Sequence, residues 1–412
     1  MKVVPPCGPG SSVVAVVLAV TACAGGDQSV TGTEQARSDT ARETHDGPES
    51  TSAADATELS PTSTVSPSEQ VVTIAASGDV LAHVSVLDSA ATYAHSIDQV
   101  DFDFDPMFAQ IRPMVSAADV ALCHLETPLS ARNVDLTRQG VLSFNTPHEL
   151  AADLAQAGYD GCDFASNHTM DRGLPGLAQT QATLTEAGLG HAGPTAEEKS
   201  AGRPALYEAG EVTVAHLAYT YTLPNSGGPT TTVPDEAPWL AESLWPVVGS
   251  RGIADDAMAA RAGGADVVVA SLHWGQEYRS EPTSDQTQIA HALLESGAVD
   301  LILGTHVHVP QPCEQINGRY VLYGMGNSLS NQSPDTDSRL RPETQDGMVA
   351  EITLTVSGDG MVESALAVQP TRVNLDGHVI EGVGPNHQPE SANRTMDTLR
   401  SLGSCDPTAL TP

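Results

Sequence analysis

Positive charge is scarce in this 412-residue chain: 18 Lys and Arg stand against 52 Asp and Glu, for a formal net charge of −34. Nucleic-acid binders neutralise phosphates with basic faces, so the balance excludes that class. A polybasic anchor on anionic lipid is disfavoured for the same reason. Lysine is nearly missing, with Lys2 and Lys199 beside 16 arginines. Aromatic residues number only 16, so a core must be built from Val, Ala, Leu and Ile; 40% hydrophobic residues are enough for one. No CxxC pair occurs, which argues against a thiolate zinc site. No apolar run is long enough to cross a bilayer as an ordinary helix. The length allows two or three domains, or one large domain with tails.

The N-terminus reads as an address. Lys2 precedes the short apolar run from Val13 to Val20, the length of a signal-peptide core. Val20-Thr21-Ala22-Cys23 then looks like a bacterial lipobox, with residues 1–22 removed and Cys23 lipidated. A plain secretory signal is the alternative. Either way the chain is expected to be exported, and in the first case held at the outer face of the cytoplasmic membrane. Residues 23–70 read as a disordered tether: from Ala24 to Gln70, sixteen residues are Ser or Thr and none is aromatic. Such a segment buries too little surface to offset its ordering entropy, and as a flexible coil it spans about 40 Å. Nine acids there oppose Arg37 and Arg42, so about −28 of the net charge belongs to the part beyond it.

Four cysteines remain, Cys123, Cys162, Cys313 and Cys405, and in an oxidising compartment they allow three disulfide connectivities. Cys123 and Cys162 fall in two apolar strand-like runs and Cys405 lies near the C-terminus, so 123–162 and 313–405 is the expected pairing.

Beyond the tether, short apolar runs at 71–76, 120–124, 160–165, 212–220, 266–272 and 300–304 read as strands. Helices are expected between them at 106–117, 147–157, 253–262 and 284–296, the first two opened by proline. This alternation implies a largely parallel sheet covered on both faces. Later strands at 319–323, 348–356 and 364–369, with the Ser357-Gly358-Asp359-Gly360 turn, suggest an antiparallel portion of a second sheet. The main domain is placed at 71–375, with 376–412 as a C-terminal extension, and 224–238 reads as a long loop.

Open α/β sheets bind ligands outside the C-terminal ends of their strands, and polar residues gather there. The ends read Ser77-Gly78-Asp79 with His83, His124-Leu125-Glu126, Ser166-Asn167-His168 with Asp171-Arg172-Gly173, His273-Trp274-Gly275 with Glu277, Gly304-Thr305-His306-Val307-His308, and Gly326-Asn327. A lone Asp after Gly is most often a turn residue, and His-x-His is often two positions on one strand face. Six polar ends in series go well beyond that. Carboxylate, imidazole and amide oxygen together suit Mn, Fe or Zn.

In order and spacing these motifs, together with Tyr278 and Tyr323, resemble the CapA family of capsule, or poly-γ-glutamate, synthesis proteins, over about 71–371. The resemblance implies a calcineurin-like metallophosphatase fold, a four-layer α/β/β/α sandwich with a one- or two-metal site at the strand ends. Carried over by position, Asp79 is the first-strand metal ligand and Glu126 takes the place of the bridging carboxylate. Asn167, His273, His306 and His308 complete the ligand set. His168 stands as general acid, with Asp171 beside it. Arg172, Trp274, Glu277 and Asn327 are placed at the substrate, and Arg279 is a further candidate for holding an anion. Two such cations activate water and stabilise developing charge.

The chain also departs from the pattern. Leu81 stands where metallophosphatases usually carry His two residues after the first Asp, His124 where the family often has Asn, and Ser328 where it often has Phe. The implied function is a metal-dependent hydrolase in envelope polymer synthesis. The alternative is a non-catalytic accessory protein for export or anchoring of an anionic polymer. Expected partners are that polymer, a membrane synthase complex, and the membrane through the lipid.

Overall fold

In the computed structural model, residues 69–95, 100–358 and 360–412 are described. The signal segment, Cys23 and nearly all of the expected tether lie outside them.

Among the described residues the chain builds two large sheets and a small one that pairs Leu129–Ser130 with Thr146–Pro147. The first runs, edge to edge, Val379–Gly382, Gly360–Asn374, Asp346–Ser357, Gln70–Val80, Val120–Leu125, Gly161–Asp163 and Gly190–Ala192. Its last four strands are parallel, while the first three form an antiparallel flank. The second sheet runs Cys313–Ile316, Arg319–Leu322, Leu301–Thr305, Val267–His273, Val212–Thr220 and Ala205–Ala209. It is parallel in its middle and antiparallel at both edges.

Period-two alternation explains how the sheets stack. Val72, Ile74, Val120 and Leu122 from the first sheet pack with Val214, Val267, Val269, Leu301 and Leu303 from the second in one buried apolar layer. The alternate positions face outwards onto helices. Ala75, Ala121 and Cys123 meet Val86 and Ala90 of helix Val84–Ala94 and Leu150 and Leu154 of helix Glu149–Ala157. On the far side Val268, Ala270 and Ile302 meet Ile253 and Ala257 of helix Trp245–Ala262 and Leu293 of helix Ser284–Ser296. Strands covered on both faces read as continuous apolar runs, as these do. The result is the expected α/β/β/α sandwich.

Several local expectations need correction. The helix expected at 106–117 is two single turns, Asp105–Phe108 and Arg112–Val115. Pro113 removes an amide and its ring clashes with the preceding turn, so one continuous helix is excluded. Pro147 pairs as a short strand, and the helix begins at Glu149. The structure adds helices Val84–Ala94, Gly173–Glu186 and Pro389–Leu399 to those the sequence pattern gives. Helix Ser284–Ser296 is where expected, with a Thr283/Gln286 capping box and Gly297 closing it in the left-handed conformation.

Both expected disulfides are present, Cys123–Cys162 between neighbouring strands and Cys313–Cys405. The segment after residue 375 adds the edge strand Val379–Gly382 and a helix whose Arg394, with Arg372 and Ser391, converges on the buried Asp346. Among the described residues no helix is long and apolar enough to cross a membrane.

Candidate metal centre

Strand Gln70–Val80 carries a register shift between Ala76 and Asp79, and such bulges re-aim a side chain. Gly78 permits the geometry: a Cβ there would lie 1.9 Å from the Gly326 carbonyl oxygen. Asp79 donates its N–H to that oxygen at 2.9 Å and faces Asn327 across the ladder. Its carboxylate is fully buried. One oxygen accepts from the His306 N–H at 3.1 Å and the other lies 3.0 Å from His308 Nδ1.

The remaining strand ends converge on this point. Glu126 is fully buried with neither carboxylate oxygen hydrogen-bonded, and Oε1 lies 3.7 Å from His308 Nε2. Asn167 Oδ1 is 3.0 Å from His273 Nε2, while its amide donates to Asn225. His306 Nδ1 is buried without a partner. His306 and His308 both hold left-handed backbone, at φ 89° and 58°. For a non-glycine residue that conformation costs on the order of 1 kcal/mol or more. Such strain persists where surroundings enforce it, here the Asp79 carboxylate gripping the His306 amide.

Among the described residues, three groups of donors have ligand atoms within 4.8 Å of one another: Asp79, His124 and His273; Asp79, Glu126 and His308; and Glu277, His306 and His308. Asp79 is the carboxylate common to two of them, and Glu126 joins one. Burial would lower the pKa of His308, but Glu126 and Asp79 reverse this and hold it at about 10. Burial likewise opposes protonation of His124, yet Asp163, then Asp79 and Glu126, hold it at about 9. Glu126 is raised to about 7, chiefly by burial, against the pull of His308. Burial and the neighbouring His308 push His306 down to about 3, and burial and His306 keep His273 well below the usual histidine range. The carboxylates that hold these histidine protons would hold a metal ion in their place, with the imidazole nitrogens deprotonated to bind it.

The cluster opens into a cleft of about 500 Å³ lined by Leu81, His83, Phe144, His168, Tyr221, Glu277, Tyr278 and a loop of Asn225, Ser226, Gly227 and Gly228. His168 Nδ1 is 2.8 Å from Asp171 Oδ2, which also accepts the Phe144 N–H at 2.6 Å. His83 lines the cleft but turns Nδ1 to the Leu81 carbonyl and joins none of the donor groups.

Other expected substrate residues lie elsewhere. Trp274 is fully buried, donating Nε1 to the Tyr323 carbonyl. Asn327 is buried too: Nδ2 donates to Thr344 and Gln332, and Oδ1 sits 3.1 Å from His308 Nδ1. Both shape the site from behind. Arg172 donates to the Ser143 carbonyl and lines a separate depression with Arg138 and Asn145. Arg279 donates to Gln276 in an exposed contact. Among the described residues, no Arg or Lys lines the cleft. Sequence reasoning missed Asp163, paired with His124 at 2.6 Å, and Tyr221, which packs on His306 and His273. An Asp inside the apolar run Cys162 to Ala165 was the available signal, since buried carboxylates demand partners.

Residues 73–332 match the family described as bacterial capsule synthesis protein PGA_cap. The chain is 26% identical over 260 residues to the PGA biosynthesis protein CapA of Bacillus subtilis (strain 168), covering 63% of this chain and 64% of that one. It is 31% identical over 229 residues to a probable polyglutamine synthesis accessory protein of Mycobacterium tuberculosis (strain ATCC 25618 / H37Rv), covering 52% and 57%. These matches span less than two thirds of the relatives' own lengths. Among solved structures, the calcineurin-like phosphoesterase YfkN from Bacillus subtilis aligns with a TM-score of 0.41 at 15% identity, covering 81% of this chain and 98% of that one. A putative 5'-nucleotidase from Staphylococcus aureus gives 0.41 at 13% identity, covering 80% and 58%. With the family matched across the span that holds all the clustered strand ends, this chain belongs to the bacterial capsule synthesis protein (PGA_cap) family.

Proposed function

We propose that this chain is an exported protein, lipid-anchored at Cys23, that works in synthesis of an anionic envelope polymer of the poly-γ-glutamate kind as a metal-dependent hydrolase. Family membership and the printed roles of its relatives support the polymer context. The observation that carries the hydrolase reading is Glu126, whose two oxygens are buried without a hydrogen bond beside Asp79 and His308. A buried carboxylate with no hydrogen bond is costly, and a cation satisfies it. The donor set fits one or two divalent ions of the Mn, Fe or Zn class, held by Asp79, Glu126, Asn167, His273, His306 and His308.

Such an ion, when bound, supplies Lewis acidity toward a carbonyl or phosphoryl oxygen and acidifies water. The chain's own groups do the rest. Asp171 accepts from His168 Nδ1–H, which fixes the tautomer and leaves Nε2 at the cleft. As an imidazolium held by Asp171 at Nδ1–H, His168 presents Nε2–H at the cleft and would donate that proton to the leaving atom. The Phe144 ring meets the imidazole edge-on and restricts its rotation. Among the described residues no arginine or lysine lines the cleft, so a bound metal would add to the positive charge that histidines offer an anionic substrate. A second reading, a non-catalytic accessory protein partnering a membrane synthase complex, is favoured by one observation: Leu81 lines the cleft where a ligating histidine is usual.

Metal analysis of the purified full-length chain, with Asp79→Ala and His306→Ala beside it, tests the proposal. Bound transition metal in the wild type that both variants lose, with metal-dependent cleavage of a γ-glutamyl oligomer or a generic phosphodiester, is the expected result. A metal-free wild type refutes the hydrolase reading, and bound metal without cleavage of either substrate favours the accessory one. Radiolabelled fatty acid incorporated by the wild type and not by Cys23→Ala tests the anchor.

A further inference from the structure

We propose that His124, held by Asp163, is itself a metal ligand in this chain, completing a donor set with Asp79 and His273. The proposal rests on the metal-binding reading above and adds to it a residue at which this chain departs from its family's usual pattern.

The geometry comes first. His124 ends strand Val120–Leu125 and is 1% exposed. Its Nδ1 lies 2.6 Å from Asp163 Oδ1, while Nε2 is buried with no hydrogen-bond partner. Nε2 sits 3.9 Å from the nearer Asp79 oxygen. That is beyond hydrogen-bond range, about 2.7–3.2 Å. It suits two ligand atoms that each stand about 2.1 Å from one cation. The His273 ring stacks beside His124 with centroids 4.8 Å apart, and donor atoms of Asp79, His124 and His273 all fall within 4.8 Å of one another.

The surroundings orient His124 as ligating histidines are oriented. A carboxylate on one ring nitrogen fixes the tautomer and leaves the other nitrogen for the metal. Asp163 is supported in turn: Ser271 hydrogen-bonds to it, and the Ser271 hydroxyl lies 2.8 Å from His216 Nε2. His124 and Asp163 are register partners on adjacent parallel strands, and the preceding partners, Cys123 and Cys162, are joined by a disulfide. The covalent link holds the two strands in the register the pair needs. With Leu81 offering no donor, His124 supplies an imidazole from the next strand instead.

The competing explanation is a structural ion pair, with His124 as an imidazolium between Asp163 and Asp79. The wild-type chain, His124→Ala and Asp163→Asn are stripped, titrated with Zn²⁺ and Mn²⁺, and assayed for stoichiometry and Kd. Urea midpoints of the metal-free forms report the fold separately. His124→Ala is expected to lose one equivalent or at least tenfold in affinity, and Asp163→Asn about 10–100-fold. Should His124→Ala fail to fold, His124→Gln keeps an N–H for Asp163 while removing the imidazole lone pair. Wild-type stoichiometry and affinity in a folded His124 variant overturn the proposal and leave the metal-binding reading intact. A wild type that binds neither metal overturns both.

Discussion

Replacing Gly78 by alanine would test how the site is built. A methyl at this position would meet the Gly326 carbonyl oxygen at 1.9 Å, where ordinary contact begins at 3.4 Å, so the two backbones must part by about 1.5 Å. That separation breaks the 2.9 Å bond from the Asp79 N–H to the same oxygen. It also disturbs the pairing of Asp79 with Asn327. Over-packing costs about 1–3 kcal/mol and a lost hydrogen bond about 1 kcal/mol, so Gly78→Ala should lose about 2–4 kcal/mol. Urea unfolding followed by circular dichroism measures this, with Gly227→Ala as control because nothing lies within 4 Å of a Cβ there. The same variant should bind metal more weakly, since Asp79 is common to two of the three donor groups. A Gly78→Ala chain within about 0.5 kcal/mol of wild type, the range of neutral surface changes, would refute the close-approach reasoning.

At His306, with φ at 89°, glycine should be better tolerated than alanine. His306→Gly is expected to be about 1 kcal/mol more stable than His306→Ala, and equal urea midpoints would contradict the strain. Asp153 accepts the Phe104 N–H but is partly buried beside Asp103, Asp105 and Glu149, and its pKa is pushed from 3.8 up to about 7, chiefly by burial. The folded state therefore binds more protons than the unfolded one between those values, so stability falls as pH rises through that window. Asp153→Asn removes the effect: its advantage in melting temperature over wild type should grow from pH 4 to 7 and then level off, whereas a pH-independent difference would count against it. The disulfides close loops of 39 and 92 residues, which loop-closure entropy values at about 4 and 4.5 kcal/mol. Cys123→Ala/Cys162→Ala and Cys313→Ala/Cys405→Ala should each lose a stability of that order in urea, and losses below about 1 kcal/mol would sink the estimate.

Much of this was legible in the chain. Apolar runs such as 266–272 and 300–304 are strands because both faces are covered, and the polar groups just past them gather at one end because parallel strands finish on the same side. Thr283, Gln286 and Gly297 announce a helix locally and frame one. Other features were not legible. Trp274 and Asn327 follow strand ends just as His273 does, yet packing turns them inward, where they support His308 and the Tyr323 backbone. Arg172 stands one residue from Asp171, but its side chain leaves toward a different depression.

The scarcity of positive charge has a second meaning in the folded chain. Composition alone argued against a nucleic-acid binder, and the alternation of apolar runs with helices alone implied covered, largely parallel sheet; the stacking of two sheets came from the family resemblance. Composition and alternation are sums over many residues and tolerate local error. The tertiary structure decided which few acids became an inward-facing cluster. It set Glu126 buried without a hydrogen bond, Asp79 shared between donor groups, and Asp163 behind His124. Those outcomes depend on ångström distances between groups far apart in the chain, such as the His306 N–H and the Asp79 carboxylate, 227 residues apart. A linear pattern of residues carries no such distances; they arise only when two sheets are stacked and a glycine lets the strands that bear them close.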